Sequence, residues 1–164
     1  MSQIAPPQPA AIWQAVASVL DPEVPVLTIE DLGILRDLHL DESGHVEVVI
    51  TPTYSGCPAM DAITADVVEA LAAVGCHDVS VRLVLAPAWT TDWISEVGRR
   101  KLQTYGIAPP HHRGDGPVPV ALSVRCPQCG SADTRELSRF GSTACKSLWS
   151  CRSCLEPFDS FKAL

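Results

Sequence analysis

No apolar run in this chain reaches 18 residues, the length a membrane-crossing helix needs, so no transmembrane segment is expected. The opening Met1-Ser-Gln-Ile-Ala-Pro-Pro lacks the basic residues of a secretory signal, which makes the cytoplasm the expected compartment. Basic residues are scarce throughout. Twelve Lys and Arg stand against 19 Asp and Glu, a net charge of −7, which argues against a nucleic-acid-binding surface. Also missing are a Ser/His/Asp order, a phosphate-cradling glycine loop, an HExxH sequence and a pair of acidic residues placed for acid–base work. With them goes the support for conventional hydrolase, kinase and dehydrogenase readings.

Cysteine is plentiful instead, with seven in 164 residues. In a reducing compartment these serve as metal ligands, reactive thiols or core packing more often than as disulfides. Four of them close the chain as two pairs, Cys126-Pro-Gln-Cys129 and Cys151-Arg-Ser-Cys154, with 21 residues between. A two-residue gap lets a tight turn aim both sulfurs at one ion, and four thiolates suit Zn²⁺. The spacer slightly exceeds the usual range of about 15–20 residues, which a long hairpin accommodates. Gly130 follows Cys129, where a knuckle needs positive φ. We read a structural Zn²⁺ site, with an iron–sulfur or rubredoxin-like iron site as the alternative. Charge agrees. Residues 1–119 carry 6 basic and 15 acidic side chains, a balance of −9, whereas residues 120–164 carry 6 and 4, a balance of +2. Four thiolates and one Zn²⁺ add −2 and bring the tail near neutral. A tail of 45 residues cannot stabilise itself by burial alone, so the metal is expected to hold it folded.

Hydrophobic content of 46% indicates a packed globular protein of one or two small domains. Half of the residues in 106–119 are Pro or Gly, which marks a linker between a front domain (8–105) and the four-cysteine domain (120–164). In the front domain, Ile12, Val16 and Val19 predict a helix over 9–20 that stops at Asp21-Pro22. Ile34–Leu40 and His45–Thr51 read as strands around the turn Asp41-Glu-Ser-Gly44. Met60, Ile63, Val67, Leu71 and Val74 line one face of a helix over 58–74, with Gly75 as its left-handed cap. Val79–Leu85 predicts a third strand and 91–105 a last helix. The fold class is α/β (α+β), a two-layer α-β-β-α-β-α domain with a small mixed three-stranded sheet, followed by an all-β zinc ribbon. Its strands are expected at Val120–Arg125, Thr134–Phe140, Ser147–Ser150 and Pro157–Phe161.

A fifth cysteine, Cys57, lies in Thr51-Pro-Thr-Tyr-Ser-Gly-Cys-Pro-Ala-Met60 between a strand and the best helix. Pro58 suits the first helical position and puts Cys57 at the N-cap, where the helix dipole lowers a thiol pKa. Gly56 would let the backbone approach a ligand closely. A nucleophilic, redox-active or metal-donating thiol and a cysteine chosen for size at a tight junction both fit this position. Cys145 reads as a small buried hydrophobe, with an alternative ligand or reactive thiol as the other reading; Cys76 reads as an ordinary packed or surface thiol. His39, His45 and His77 read as isolated surface residues, and His111-His112 as a solvated linker pair, with assistance in metal binding as the alternative. The acidic Asp21-Pro-Glu-Val-Pro25 and Glu30-Asp-Leu-Gly33 fit turn formation, and they equally fit a loop folded beside Cys57.

Leu20-Asp-Pro-Glu-Val-Pro-Val26, Ile29-Glu-Asp-Leu-Gly-Ile34 and Thr51-Pro-Thr-Tyr-Ser-Gly-Cys-Pro58, in that order, resemble the iron–sulfur cluster assembly domain family over roughly residues 8–105. The resemblance implies an α/β fold, a role in maturing iron–sulfur proteins, and a functional Cys57, which matches the family's motif cysteine. Arg125-Cys-Pro-Gln-Cys-Gly-Ser131, Ser138-Arg-Phe-Gly-Ser-Thr-Ala-Cys-Lys146 and Glu156-Pro-Phe-Asp-Ser-Phe-Lys162 are similar to the zinc-ribbon extension of the PaaD family of bacterial aerobic phenylacetate degradation. That family is associated with the phenylacetyl-CoA epoxidase, a di-iron oxygenase with an iron–sulfur flavin reductase. The implied partners are those oxygenase and reductase components, and the implied cofactors are the structural Zn²⁺ and transient Fe or Fe–S at Cys57. The implied function is a non-enzymatic maturation factor. A stoichiometric structural subunit is the alternative, a redox enzyme has less support because no CxxC accompanies Cys57, and a homodimer stays open.

Overall fold

The structure, a computed structural model, describes residues 8–112 and 123–164. The chain divides into two compact units, one ending at Trp89 and one running from Thr90 to Leu164.

The first unit opens with α1, Pro9–Ala17, which buries Ile12, Val16 and Ala17. The helix ends short of the predicted Leu20 because the Ser18 hydroxyl bonds the Ala15 carbonyl and Leu20 forms an antiparallel bridge with Thr28. Two strands follow, β1 (Leu35–Leu40) and β2 (Val46–Ile50), paired antiparallel. Their turn forms where predicted, with Asp41 Oδ1 accepting from the Ser43 and His45 amides at 2.9 Å. Next is α2, Ala59–Ala73, whose Met60, Ile63, Val67 and Leu71 are buried on the predicted face. Gly75 (φ 88) closes it as a Schellman cap: its amide bonds the Ala72 carbonyl and the Cys76 amide bonds the Leu71 carbonyl. The last strand, β3 (Val79–Leu83), pairs parallel with β2, giving the mixed sheet order β1-β2-β3. Ile12, Leu27, Ile29, Ile34, Ile50, Ile63 and Leu71 are all fully buried and form the core between helices and sheet.

In the second unit the predicted helix over 91–105 is broken. A 3₁₀ turn, Thr91–Trp93, precedes α3, Glu96–Tyr105, because the Ser95 hydroxyl caps the Gly98 amide at 2.9 Å. Then comes β4 (Ile107–Ala108), inside the segment predicted to be linker. It pairs with β7 (Pro157–Phe161), followed across the sheet by β6 (Lys146–Cys151) and β5 (Thr134–Ser138), in the order β4-β7-β6-β5. The predicted boundary after residue 105 therefore moves to 89/90. The cause is long-range. The β4–β7 pairing and the Arg99 guanidinium, which bonds the carbonyls of Pro110 and Thr91, tie residues 91–110 together and to the ribbon. Of the predicted strand Val120–Arg125, residues 123–125 are not in a strand and 120–122 lie outside the described residues, as do linker residues 113–119.

Candidate metal centre and a buried thiol

Each cysteine pair is shaped by the same backbone device. The Cys126 amide bonds the Ser131 carbonyl and the Cys151 amide bonds the Glu156 carbonyl, both at 2.9 Å, so each knuckle closes five residues on. The residue after the second cysteine takes the left-handed conformation in both, Gly130 at φ 75 and Leu155 at φ 67. Glycine adopts that region freely, whereas an L-residue with a Cβ is strained there. The hydroxyls of Ser131 and Ser153 meet at 2.8 Å and link the two knuckles.

This arrangement brings all four predicted sulfurs, of Cys126, Cys129, Cys151 and Cys154, within 4.8 Å of one another. Cys126 to Cys154 is 3.7 Å and Cys129 to Cys151 is 3.6 Å. A tetrahedral ion with metal–sulfur bonds of about 2.3 Å requires sulfur–sulfur separations near ~3.8 Å, so the residues present fit a four-thiolate metal. The Cys154 amide points at the Cys151 sulfur at 3.4 Å and, with the Ser153 amide, holds that thiol down to about 6. Trp149, Phe158, Val124 and Ala108 pack around Cys126 and Cys151 and shield the centre. Cys145 is outside the group: it is buried, and its sulfur meets the Thr143 hydroxyl at 3.0 Å.

Cys57 is presented differently. α2 starts at Ala59 with Pro58 as N-cap, so Cys57 stands one residue before the N-cap instead of at it as predicted. Gly56, at φ 79 with open space where a Cβ would be, makes the turn that carries it. Cys57 is 8% exposed and lines a cleft of about 300 Å³ together with Pro52, Ser55, Met60, Leu83 and Leu85. Burial pushes its pKa up, and the nearby Glu23 carboxylate adds to this; the Ala59 amide and the hydroxyls of Tyr54 and Thr53 pull the other way. The expected lowering by the helix end is therefore outweighed by desolvation. Cys76 is also buried with a raised pKa, as a packed thiol should be.

The acidic motif forms turns, and none of its residues lines the Cys57 cleft. Asp21 is structural, its Oδ1 accepting from the Glu23 and Val24 amides at 2.8 Å. Thr28 and Asp31 bond each other's amides reciprocally, and the Trp89 indole donates to the Leu32 carbonyl at 2.8 Å. Glu23, by contrast, is close enough for its charge to act on Cys57. Two histidines expected to be isolated are not. His45 Nδ1 lies 2.9 Å from Asp78 Oδ1, which raises its pKa, and Nε2 lies 2.8 Å from the Ser80 hydroxyl. His39 pairs with Asp37 at 3.5 Å. His112 lies 3.5 Å from Asp92 and 3.6 Å from Glu96, within the second unit. Sequence reasoning missed Leu83 and Leu85, whose place beside Cys57 depends on the β2–β3 crossover.

Both units match known families. Residues 9–83 match the model of the iron–sulfur cluster assembly protein family, and residues 112–162 match that of the PaaD zinc beta ribbon domain. Over its full length the chain is 47% identical to an Escherichia coli protein named as a putative subunit of 1,2-phenylacetyl-CoA epoxidase, covering 98% of it. The chain belongs to the PaaD family. The chain is also 36% identical, over 89 residues, to the Bacillus subtilis Fe-S protein maturation auxiliary factor YitW, 54% of this chain and 86% of that one. Among solved structures, it is similar to a Bacillus anthracis domain of unknown function (26% identity, TM-score 0.53, 57% of this chain and 89% of that one). A conserved hypothetical protein of Thermotoga maritima is similar too (30% identity, TM-score 0.50, 62% and 98%). These neighbours carry the same mixed α+β fold as the front unit of this PaaD-family chain. No helix among its described residues is long and apolar enough to cross a membrane.

Proposed function

We propose that this chain is an accessory factor that matures the phenylacetyl-CoA epoxidase complex, with Cys57 handling iron or an iron–sulfur cluster on its way to the client. The observation that carries this reading is the setting of Cys57, a single thiol lining an open apolar cleft, on which the Glu23 charge acts. At neutral pH the raised pKa keeps it protonated, which protects it from oxidation and stray alkylation. An arriving iron cation reverses both penalties. The thiol proton passes to solvent, an iron–sulfur bond forms, and the Glu23 charge that opposed the thiolate now favours the cation. Relatives named as Fe-S maturation factors share this unit and support the assignment. In the ribbon, Cys126, Cys129, Cys151 and Cys154 hold Zn²⁺, which fixes a surface for docking on the oxygenase or reductase components.

The test is a strain carrying Cys57→Ser. The client reductase should lose cluster absorbance, or the oxygenase its iron, while the circular dichroism of the variant stays unchanged. Full metal content in the client would refute the proposal. A second reading, a stoichiometric structural subunit, is favoured by the raised Cys57 pKa and by the naming of the E. coli relative as a subunit. Co-purification at fixed ratio together with a harmless Cys57→Ser would establish it.

A further inference from the structure

Leu83, the last residue of β3, and Leu85, two residues beyond it, line the Cys57 cleft, and among the described residues nothing pairs with the far edge of β3. β3 ends the sheet order β1-β2-β3, and none of its five residues is fully buried. Its ladder to β2 uses one parity of the backbone. Val84 donates to the Ile50 carbonyl and Val46 donates to the Asp78 carbonyl, each at 2.9 Å, so the even-numbered peptide groups of β3 face β2. In a parallel ladder the peptide groups of Val79, Val81 and Leu83 then face the open edge. The run Val79-Ser-Val-Arg-Leu-Val-Leu85 is rich in β-forming residues.

Natural edges of this kind are blunted by charge, proline or a covering element. Here the one charged residue, Arg82, is engaged by Glu47 at 3.0 Å, and the first proline comes only at Pro87. Leu83 and Leu85 are 47% and 61% exposed. An apolar strip whose outward backbone donors and acceptors have no strand partner among the described residues thus runs up to Cys57.

Charge indicates what covers it. Up to Trp89 the chain holds 12 Asp and Glu against 2 Lys and Arg, a balance of −10. Both of those arginines are occupied, Arg82 by Glu47 and Arg36 by the Gly33 carbonyl at 3.4 Å. Pairing the same edge with a second copy would oppose two strongly acidic surfaces within about a Debye length of ~10 Å. We propose that the free edge of β3 is a docking rail for an extended, Lys/Arg-bearing segment of a partner protein. That segment adds as a fourth strand and lays its apolar side chains over Leu83 and Leu85 beside Cys57. The rail serves a maturation factor or a structural subunit equally, so it stands apart from the iron chemistry proposed for Cys57.

The test uses the full chain, isotope-labelled, with an acetylated heptapeptide of alternating Lys and Val as probe and its Glu/Val counterpart as control. At millimolar peptide the Lys/Val probe should shift the amides of Val81, Leu83 and Leu85. It should also slow hydrogen exchange at Val81 and Leu83 but not at Arg82, and it should weaken with salt. The double variant Leu83→Lys/Leu85→Lys, at two exposed positions, should bind at least about tenfold more weakly, while Val97→Lys in the other unit binds normally. The proposal is overturned by no shift at all, by equal binding of the Glu/Val peptide, by shifts confined to residues 90–164, or by a light-scattering mass showing that β3 is closed by a second copy.

Discussion

Chelating the metal should unfold the ribbon and leave the front unit standing. Among the described residues, Ala108, Val124, Trp149 and Phe158 pack around its thiols. Only the two aromatics are large, and burying each contributes about 1.5–3 kcal/mol. A structural Zn²⁺ contributes an apparent ~10–16 kcal/mol, as much as the whole stability of a typical domain at about 5–15 kcal/mol. Without the ion the four sulfurs, all within 4.8 Å, would repel one another as thiolates or need protons to coexist. Stepwise addition of a strong chelator should release one metal per chain to a metallochromic dye. In the same titration the amide signals of Lys146–Cys151, the Trp149 indole and the β4 amides of Ile107 and Ala108 should collapse to random-coil positions. Signals of Val46–Ile50 in the front unit should stay dispersed. Cys151→Ser should reproduce the collapse, whereas Cys145→Ser should leave metal stoichiometry unchanged because its sulfur is engaged with Thr143. A ribbon spectrum that survives metal loss would refute the reasoning, since the described core is then sufficient without the ion.

Three further outcomes follow from single sites. Because burial and Glu23 raise the Cys57 pKa, its alkylation should reach half-maximal rate at a higher pH than a free thiol, and Glu23→Gln should move that point down. By linkage the neutral thiol's contribution to stability is present below the ordinary thiol pKa and lost as pH rises through the raised folded value; a profile like that of free cysteine would contradict this. Leu155 is 78% exposed and strained at φ 67, so Leu155→Gly should stabilise the metal-bound ribbon by ~1 kcal/mol, the relief of strain less the extra chain entropy. Gly130→Ala should do the opposite, and thermal melts of the two variants check the sign. Ile63, fully buried on α2, should cost about 2–5 kcal/mol on truncation to Ala, read by urea unfolding of the front unit.

The features legible in the sequence were those set by local chemistry. The two cysteine pairs declared their ligand geometry through spacing, and α2 declared its buried face through Met60, Ile63, Val67 and Leu71 and its end through Gly75. The hairpin turn at Asp41–Gly44 was equally local. What escaped depends on contacts distant in sequence. Two residues, Ile107 and Ala108, count as strand only because β7 comes back to pair with them some 50 residues later, and that pairing moved the unit boundary. The Cys57 pKa had its sign reversed because the helix end is visible in a sequence and burial is not. His45 looked isolated because its partners, Asp78 and Ser80, arrive with β3.

The two cysteine sites differ in coordination, and that difference predicts where exchangeable metal can sit. The ribbon supplies four thiols to one point, which closes the shell and leaves no position for a cargo to enter or leave. Cys57 supplies one, and among the described residues no other cysteine or histidine lines its cleft. Iron held there by the protein alone has one thiolate and takes most of its remaining shell from water, so it should bind weakly. Ligands donated by a docked client would bind it far more tightly. Ferrous iron titrated anaerobically into the zinc-loaded chain should therefore show a weak site that Cys57→Ser abolishes. Adding apo client should tighten it by at least about tenfold, a gain of ~1.4 kcal/mol or more. A tight site in the isolated chain, or one indifferent to Cys57→Ser, would show that the cargo is held elsewhere and would remove Cys57 from the transfer path.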